Sequence, residues 1–551
     1  MKLIIFSLSV FSLSCKKYLN IRKTLLPFIP SSILRQYRKI KRYFTSRDKK
    51  YAVIGTNIIT RQILLDKAVI DRKRVDTVRL ICYLAWENPF NCCDYRRYQY
   101  LENSYKLGNN AAIYVDFTNF GLWTVEIHYC RGNRTVAKEV KTVKVEAPEY
   151  NIAYLSATLP AEIFLINLWN ITSAGRPTIV GLERVLVDYK ALPKDVFPFP
   201  LATEEELNTA YKGFYGYAQR MVSYIEMLYS MNPDAKFNLY LCDHQAYFSL
   251  VFLYANRIPE KNFTIHLLSD GTGSYEGFKY IFGNNDAEQT YNAMKSTWEL
   301  SKQEAGRTGV QKWRKESFIK CGNPSVSQTQ KSDCQMIELS NRLAYAYVIT
   351  RENPNVEWVL HNPEWLDSGD KVRFSLPESI KKIDFTEGIK SLENHREELI
   401  RMVGLDYSVF KQSCPTGKRI CVFLGAFPPV QADMLYVDAT IEKFGKDFDY
   451  YFKEHPRTVV DSNRKKAIED RGIIFLDPKI PTEIYMMINA DICLAGYSSS
   501  SFLSIGLLRN PHDQILSIWG TKERKVKTSC LDFEAKTAMN IENNTVIVYD
   551  R

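Results

Sequence analysis

Four stretches between about 76 and 147 alternate apolar and polar residues, with turns between them: VRLICYLAW, AAIYVDFTN, LWTVEIHYC and VAKEVKTVKVEA. Period-two alternation places successive side chains on opposite faces of a strand, so this region is predicted to be a small β-sandwich. From about 150 the pattern changes to short apolar runs followed by helical periodicity: NIAYL then PAEIFLINLWN, FNLYLCD then the helix HQAYFSLVFLYANR, and FTIHLLSDG. A polar stretch with Pro415 and Gly417 precedes a second run of the same kind. It reads RICVFLGA, a helix near 434–444, DYYFKEHP, a helix near 461–471, GIIFLD, the helix PTEIYMMINA, DICLAG, the helix SSSFLSIGLLR and QILSIWG. Strands alternating with helices build parallel sheets. The predicted fold class is therefore α/β: two Rossmann-like domains, over 150–410 and 418–535, facing a cleft. The β-sandwich over 76–147 precedes them and a tail over 536–551 comes after.

The chain has 551 residues, 45% of them hydrophobic, which is enough for two or three cores. Its net charge of +11 is concentrated at one end. Residues 1–50 hold 13 Lys/Arg and one Asp, whereas the other 501 hold 60 Lys/Arg against 61 Asp/Glu. No specific nucleic-acid partner is expected, because a basic leader alone binds nucleic acid without sequence preference. The leader's apolar run, 3–13, is about half the length of a membrane-spanning helix. It is followed by Cys15-Lys16-Lys17 and then Arg35, Arg38, Lys39, Lys41, Arg42, Arg47, Lys49 and Lys50. The expectation is peripheral attachment to an anionic membrane surface on the cytoplasmic face. Export as a lipoprotein, through Ser12-Leu13-Ser14-Cys15, and a bland solvated arm are the alternatives. Twelve cysteines with no Cys-x-x-Cys spacing point to reduced thiols rather than a zinc site. Trp123, Val125, Ile127 and Tyr129 share one face of a strand, which sets Cys130 on the other and argues against a bridge to Cys82.

In open parallel sheets ligands bind beyond the carboxyl ends of the strands. The residues there are Ser269-Asp270-Gly271, Gly425, His455-Pro456 and the run Tyr497 to Ser501. Ser498 and Ser499 stand at a strand-to-helix junction, where N–H groups and hydroxyls suit a phosphate or simply cap the helix. Pro456 stiffens the loop that aims His455, a candidate acid or a structural hydrogen-bonder. Asp270 before Gly271 is either a cleft carboxylate or a turn. No P-loop or G-x-G-x-x-G fingerprint is present. Asp447-Phe448-Asp449 opens a strand and reads as a turn, so no metal is expected.

The order of these landmarks resembles bacterial sialyltransferases of glycosyltransferase family 80, over about 150–520. The family's Asp-Asp-Gly motif is matched by Ser269-Asp270-Gly271, its His-Pro motif by Lys453, His455 and Pro456 in FKEHP, and its helical glutamate by Glu483 in PTEIYMM. Its Ser-Ser motif falls on Ser498 and Ser499, and an upstream acceptor-site histidine on His244. Ser269 stands where the family has an acidic residue, and Phe427, Pro428 and Pro429 occupy the region of a family tryptophan. The resemblance implies a GT-B fold with an immunoglobulin-like domain before it. It also implies inverting, metal-independent transfer from CMP-sialic acid to a glycan acceptor ending in galactose or N-acetylgalactosamine. Asp270 would be the general base and His455 the general acid. Lys453, Pro456, Glu483, Ser498, Ser499, Gly425 and Thr272 would line the donor, and His244 the acceptor. A GT-B enzyme with a Kdo-like or UDP donor, and a non-catalytic glycan-binding protein, are the alternatives.

Overall fold

The computed structural model describes residues between 57 and 549. Outside the described residues lie 1–56, 201–213, 309–344, 406–417, 520–544 and shorter segments, among them 272–273, 456–457 and 497–500. The basic leader is therefore outside them. Among the described residues no helix is long and apolar enough to cross a membrane.

Six strands come first among the described residues: β1 (Ile59–Leu64), β2 (Thr77–Glu87), β3 (Tyr95–Lys106), β4 (Ala112–Phe117), β5 (Gly121–Arg131) and β6 (Arg134–Val145). They form a four-stranded antiparallel sheet in the order β3-β2-β5-β6 and a two-stranded ladder of β1 with β4. The alternation of β5 is realised as expected. Trp123, Val125, Ile127 and Tyr129 are buried, and they share one core with Val78 and Leu80 of β2 and with Val115 and Phe117 of β4. Two strands lay outside the predicted set. β3 (YRRYQYLENSYK) is too polar to alternate, and its strand state comes from pairing along all of β2; β1 lies before 76 and pairs with β4. Cys82 and Cys130 are free thiols, and burial pushes the Cys82 thiol up to about 12. This β-domain is fastened to the first α/β region. Asn119 Nδ2 donates to Pro198 O at 2.6 Å and Tyr224 OH donates to Phe120 O at 3.0 Å. Gly121, at φ 139°, lies where an added Cβ would come within 2.9 Å of Met227 Cε on the helix Phe214–Met231.

That region is built on a seven-stranded parallel sheet made of β7 (Glu149–Leu155), β8 (Thr178–Leu182), β9 (Val196–Pro198), β10 (Lys236–Cys242), β11 (Phe263–Leu268), β12 (Val356–Leu360) and β13 (Ile380–Lys382). Its order is β13-β12-β11-β10-β7-β8-β9. A six-stranded parallel sheet comes next in the chain: β14 (Arg419–Leu424), β15 (Phe448–Lys453), β16 (Ile474–Phe475), β17 (Ile492–Gly496), β18 (Ile515–Trp519) and β19 (Thr545–Tyr549), in the order β16-β15-β14-β17-β18-β19. The region over 536–551 is not a plain tail as expected. Its apolar run TVIVY is the edge strand β19, paired along the whole of β18, because a β-branched segment satisfies its backbone best on an open sheet edge.

One apolar cluster runs from Leu155 and Leu268 of the first sheet and Phe164 of the helix Thr158–Ile166 to Val422, Tyr451 and Leu494 of the second sheet and Ile484 of the helix Thr482–Ile488, so the two α/β regions share a core beneath the cleft. Strand order reverses between β7 and β10 in the first sheet and between β14 and β17 in the second. Such reversals leave a crevice at the strands' carboxyl ends. Ser156, Asp243 and Gly425 therefore stand at the two crevice mouths.

Candidate active site

On the first sheet the chain leaves β11 through Ser269-Asp270-Gly271, with Gly271 at φ 72°. That left-handed turn suits glycine. Ser274 ties the turn down: its Oγ accepts from Asp270 N–H at 3.0 Å and from Ser269 Oγ at 3.2 Å, and donates to Asp243 Oδ2. Ser269 Oγ in turn accepts from Gly271 N–H at 3.1 Å. Ser269 is fully buried, so an acid at this position would crowd the carboxylates of Asp243 and Asp270; a hydroxyl does the bonding without charge.

Asp243 comes directly after β10 and is fully buried. It accepts from Ser274 Oγ, from Trp358 Nε1 at 3.2 Å and from the His244 N–H at 2.7 Å. These three donors satisfy its buried oxygens. His244 is also buried, and its Nδ1 lies 3.6 Å from Asp243 Oδ1 and 3.5 Å from Asp270 Oδ2. The Asp270 side chain is 34% exposed. One imidazole thus stands between a sealed carboxyl and an open one, and only the open one is accessible from the crevice.

On the second sheet, Lys453 ends β15 and is buried. Burial pushes its ammonium down, opposed in order by Glu483, Glu162, Asp477 and Glu454. Glu483 lies in the first turn of the helix Thr482–Ile488, also buried. His455 is the second residue of the loop after β15, half-buried, and its carbonyl accepts from Thr458 N–H at 2.8 Å. Gly425 donates its N–H to Lys453 O at 2.8 Å, and an added Cβ would press on the Glu454 carboxylate and come within 3.2 Å of Glu454 Cα. Only a glycine lets β14 end this close to β15. Glu454 is fully buried and is held by Arg464 through Nε and Nη2.

The structure thus brings His244 to Asp270, Glu483 to Lys453, and Gly425 to the backbone of Lys453. Thr272, Pro456, Ser498 and Ser499 lie outside the described residues. Asp447 ends a one-turn helix, Gly445–Asp447, and Phe448 and Asp449 open β15, so the segment read as a turn is a helix end running into a strand. Sequence reading passed over Asp243, Ser274, Glu162, Glu454 with Arg464, and His361. Glu162 left a signal: it is the one charge in the helix Thr158–Ile166, whose residues from Leu159 onward are all buried. His361, just after β12, is buried and pushed down to about 4 by desolvation, against the opposing fields of Glu483 and Asp243. It is a neutral imidazole between the two halves of the site.

No family model matches the chain, and no curated protein matches it. Solved structures do. The sialyltransferase from Photobacterium damsela is similar at 15% identity, over 89% of this chain and 98% of its own, with a TM-score of 0.50. The fold is GT-B. The structure described as the GT-B domain of the Photobacterium damselae sialyltransferase shows 15% identity over 72% of this chain and 100% of its own, with a TM-score of 0.49. A 2,6-sialyltransferase from Photobacterium sp. JT-ISH-224, solved with CMP and lactose, shows 14% identity over 89% of this chain and 94% of its own, with a TM-score of 0.49. In GT-B terms the β7–β13 sheet and the β14–β19 sheet are the two facing halves, with Asp270 and His244 at the mouth of one and Lys453, His455 and Gly425 at the mouth of the other.

Proposed function

We propose that this chain is a glycosyltransferase that moves sialic acid from CMP-sialic acid to a sugar hydroxyl of a glycan, with inversion in a single displacement. The observation that carries the reading is Asp270: an accessible carboxylate at the end of β11, 3.5 Å from His244, on a GT-B crevice. In the reaction the acceptor oxygen forms a bond to the anomeric carbon as the bond from that carbon to the phosphate oxygen breaks. The hydroxyl proton passes to Asp270, and His455 gives a proton or a hydrogen bond to the departing phosphate. Lys453 and Glu483 hold the nucleoside, Glu483 on the ribose hydroxyls, while Gly425 keeps the floor of that site open. His244 orients the acceptor. Charge on a monophosphate leaving group is met by a proton and hydrogen-bond donors, so no metal is required. A base that must be free and an acid that must be loaded give a bell-shaped dependence on pH.

The test is transfer from radiolabelled CMP-N-acetylneuraminic acid to galactose- and N-acetylgalactosamine-terminated acceptors in EDTA, for the wild type and Asp270→Asn. Loss of roughly 100- to 10,000-fold in kcat with CMP affinity retained is expected, since the base acts only on the acceptor side. No transfer and no stabilisation by CMP would refute the reading, and stabilisation by UDP in its place would favour the other donor class. The basic leader is proposed to hold the enzyme on an anionic membrane surface. Co-sedimentation with anionic vesicles that is lost on removing residues 1–50 checks it; equal sedimentation without them would overturn it.

A further inference from the structure

The helix Thr158–Ile166 comes after β7, the strand at the first sheet's reversal point, and carries a single charged side chain. That residue, Glu162, is 3% exposed and faces across to Glu483, itself 3% exposed, on the second sheet's side. The two carboxyls are close enough to share a hydrogen bond, with Lys453 the cation they both feel. Glu162 Oε2 has no hydrogen-bond partner among the described residues. Two buried acids beside one buried ammonium favour a proton held between the carboxyls, because a like charge in a dry site disfavours ionisation.

We propose that Glu162 is a positioning residue of the donor site, sharing one proton with Glu483 across the cleft so that Glu483 presents a fixed carboxylate oxygen to the ribose hydroxyls. The inference rests on the donor reading above. Burial first, and then the Glu483 charge, push the Glu162 carboxyl well above the usual carboxylate range, which places the shared proton on Glu162 rather than on Glu483. The groups around it are consistent with this. Lys453 is faced by Glu483, Glu162, Asp477 and Glu454; Glu454 is engaged by Arg464; and Glu483 is also faced by the neutral His361. Removing the proton would set two buried carboxylates against each other. Glu483 would then turn toward Lys453 and away from the nucleotide.

Calorimetric titration of CMP into the full chain, from neutral to alkaline pH, tests this with the wild type, Glu162→Gln and Glu162→Leu. Wild-type affinity should fall about tenfold on the alkaline side as the shared proton leaves. The Gln variant should match the wild type at neutral pH and lack the alkaline fall, because an amide N–H donates at any pH. The Leu variant, with no donor, should bind about tenfold more weakly throughout, with no alkaline fall. Infrared spectra add a readout independent of activity: a carboxylic-acid C=O band at neutral pH that disappears in Glu162→Gln. A Gln variant that keeps the alkaline fall, or a wild type without that band, overturns the inference while leaving the donor reading intact. A wild type that does not bind CMP removes both.

Discussion

Replacing Arg464 by Ala isolates one buried charge pair that shapes the donor side. Arg464 sits in the helix Ser462–Glu469, capped by Asp461, which accepts from Asn463 N–H at 3.2 Å. Its guanidinium, 13% exposed, grips both oxygens of Glu454 and lies 5.4 Å over the Phe452 ring. Glu454 itself is fully buried beneath Gly425, between Lys453 and His455. Removing the cation strands a carboxylate in a dry site, a change that costs about 3–5 kcal/mol, where an exposed pair is worth about 0–1 kcal/mol. The exposed pair Arg471 with Asp438 is the internal control. Urea unfolding of the second α/β region should show Arg464→Ala destabilised by about 3 kcal/mol or more and Arg471→Ala by under about 1 kcal/mol. The double variant Arg464→Ala, Glu454→Gln should recover part of the loss, because the orphaned charge is gone; close pairs couple by about 0.5–3 kcal/mol. An Arg464→Ala variant as stable as Arg471→Ala would refute the reasoning and mean that water reaches Glu454.

Gly425→Ala should cost about 1–3 kcal/mol, since the new methyl meets a carboxylate clamped by Arg464 and cannot displace it cheaply; thermal unfolding checks it, and a neutral outcome would show that β14 and β15 separate readily. For His361 the sign is set by burial of the neutral form. Its folded value, about 4, lies below the unfolded value near 6.5, so the unfolded chain binds the extra proton between those limits. The stability it contributes is complete above about pH 6.5 and falls by roughly 3 kcal/mol as the pH drops toward 4. Unfolding free energies of wild type and His361→Gln across that range should converge at acid pH; parallel curves would refute it.

The residues that end strands were legible because parallel strands buried on both faces read as short unbroken apolar runs, and the residue after such a run must leave the sheet at its ligand-binding edge. Asp270, His455 and Gly425 were found that way. The helix over 434–444 and the helix of PTEIYMMINA were equally legible, and the structure has them as Asp433–Phe444 and Thr482–Ile488. β3 was not, because a charged segment becomes a strand only when a neighbour supplies its ladder.

Sequence by itself determined the change from alternating strands to strand–helix units, and the Asp270, His244, Lys453 and His455 side chains at the strand ends. Those depend on local periodicity and on what one strand end can carry. Tertiary structure alone decided that Asp243 is sealed behind His244 while Asp270 stays open, that Glu162 meets Glu483 and Lys453 from the opposite sheet, and that Arg464 neutralises Glu454. Each of these pairs residues distant in the chain or differing only in burial, and burial is set by what packs against a side chain rather than by its sequence neighbours.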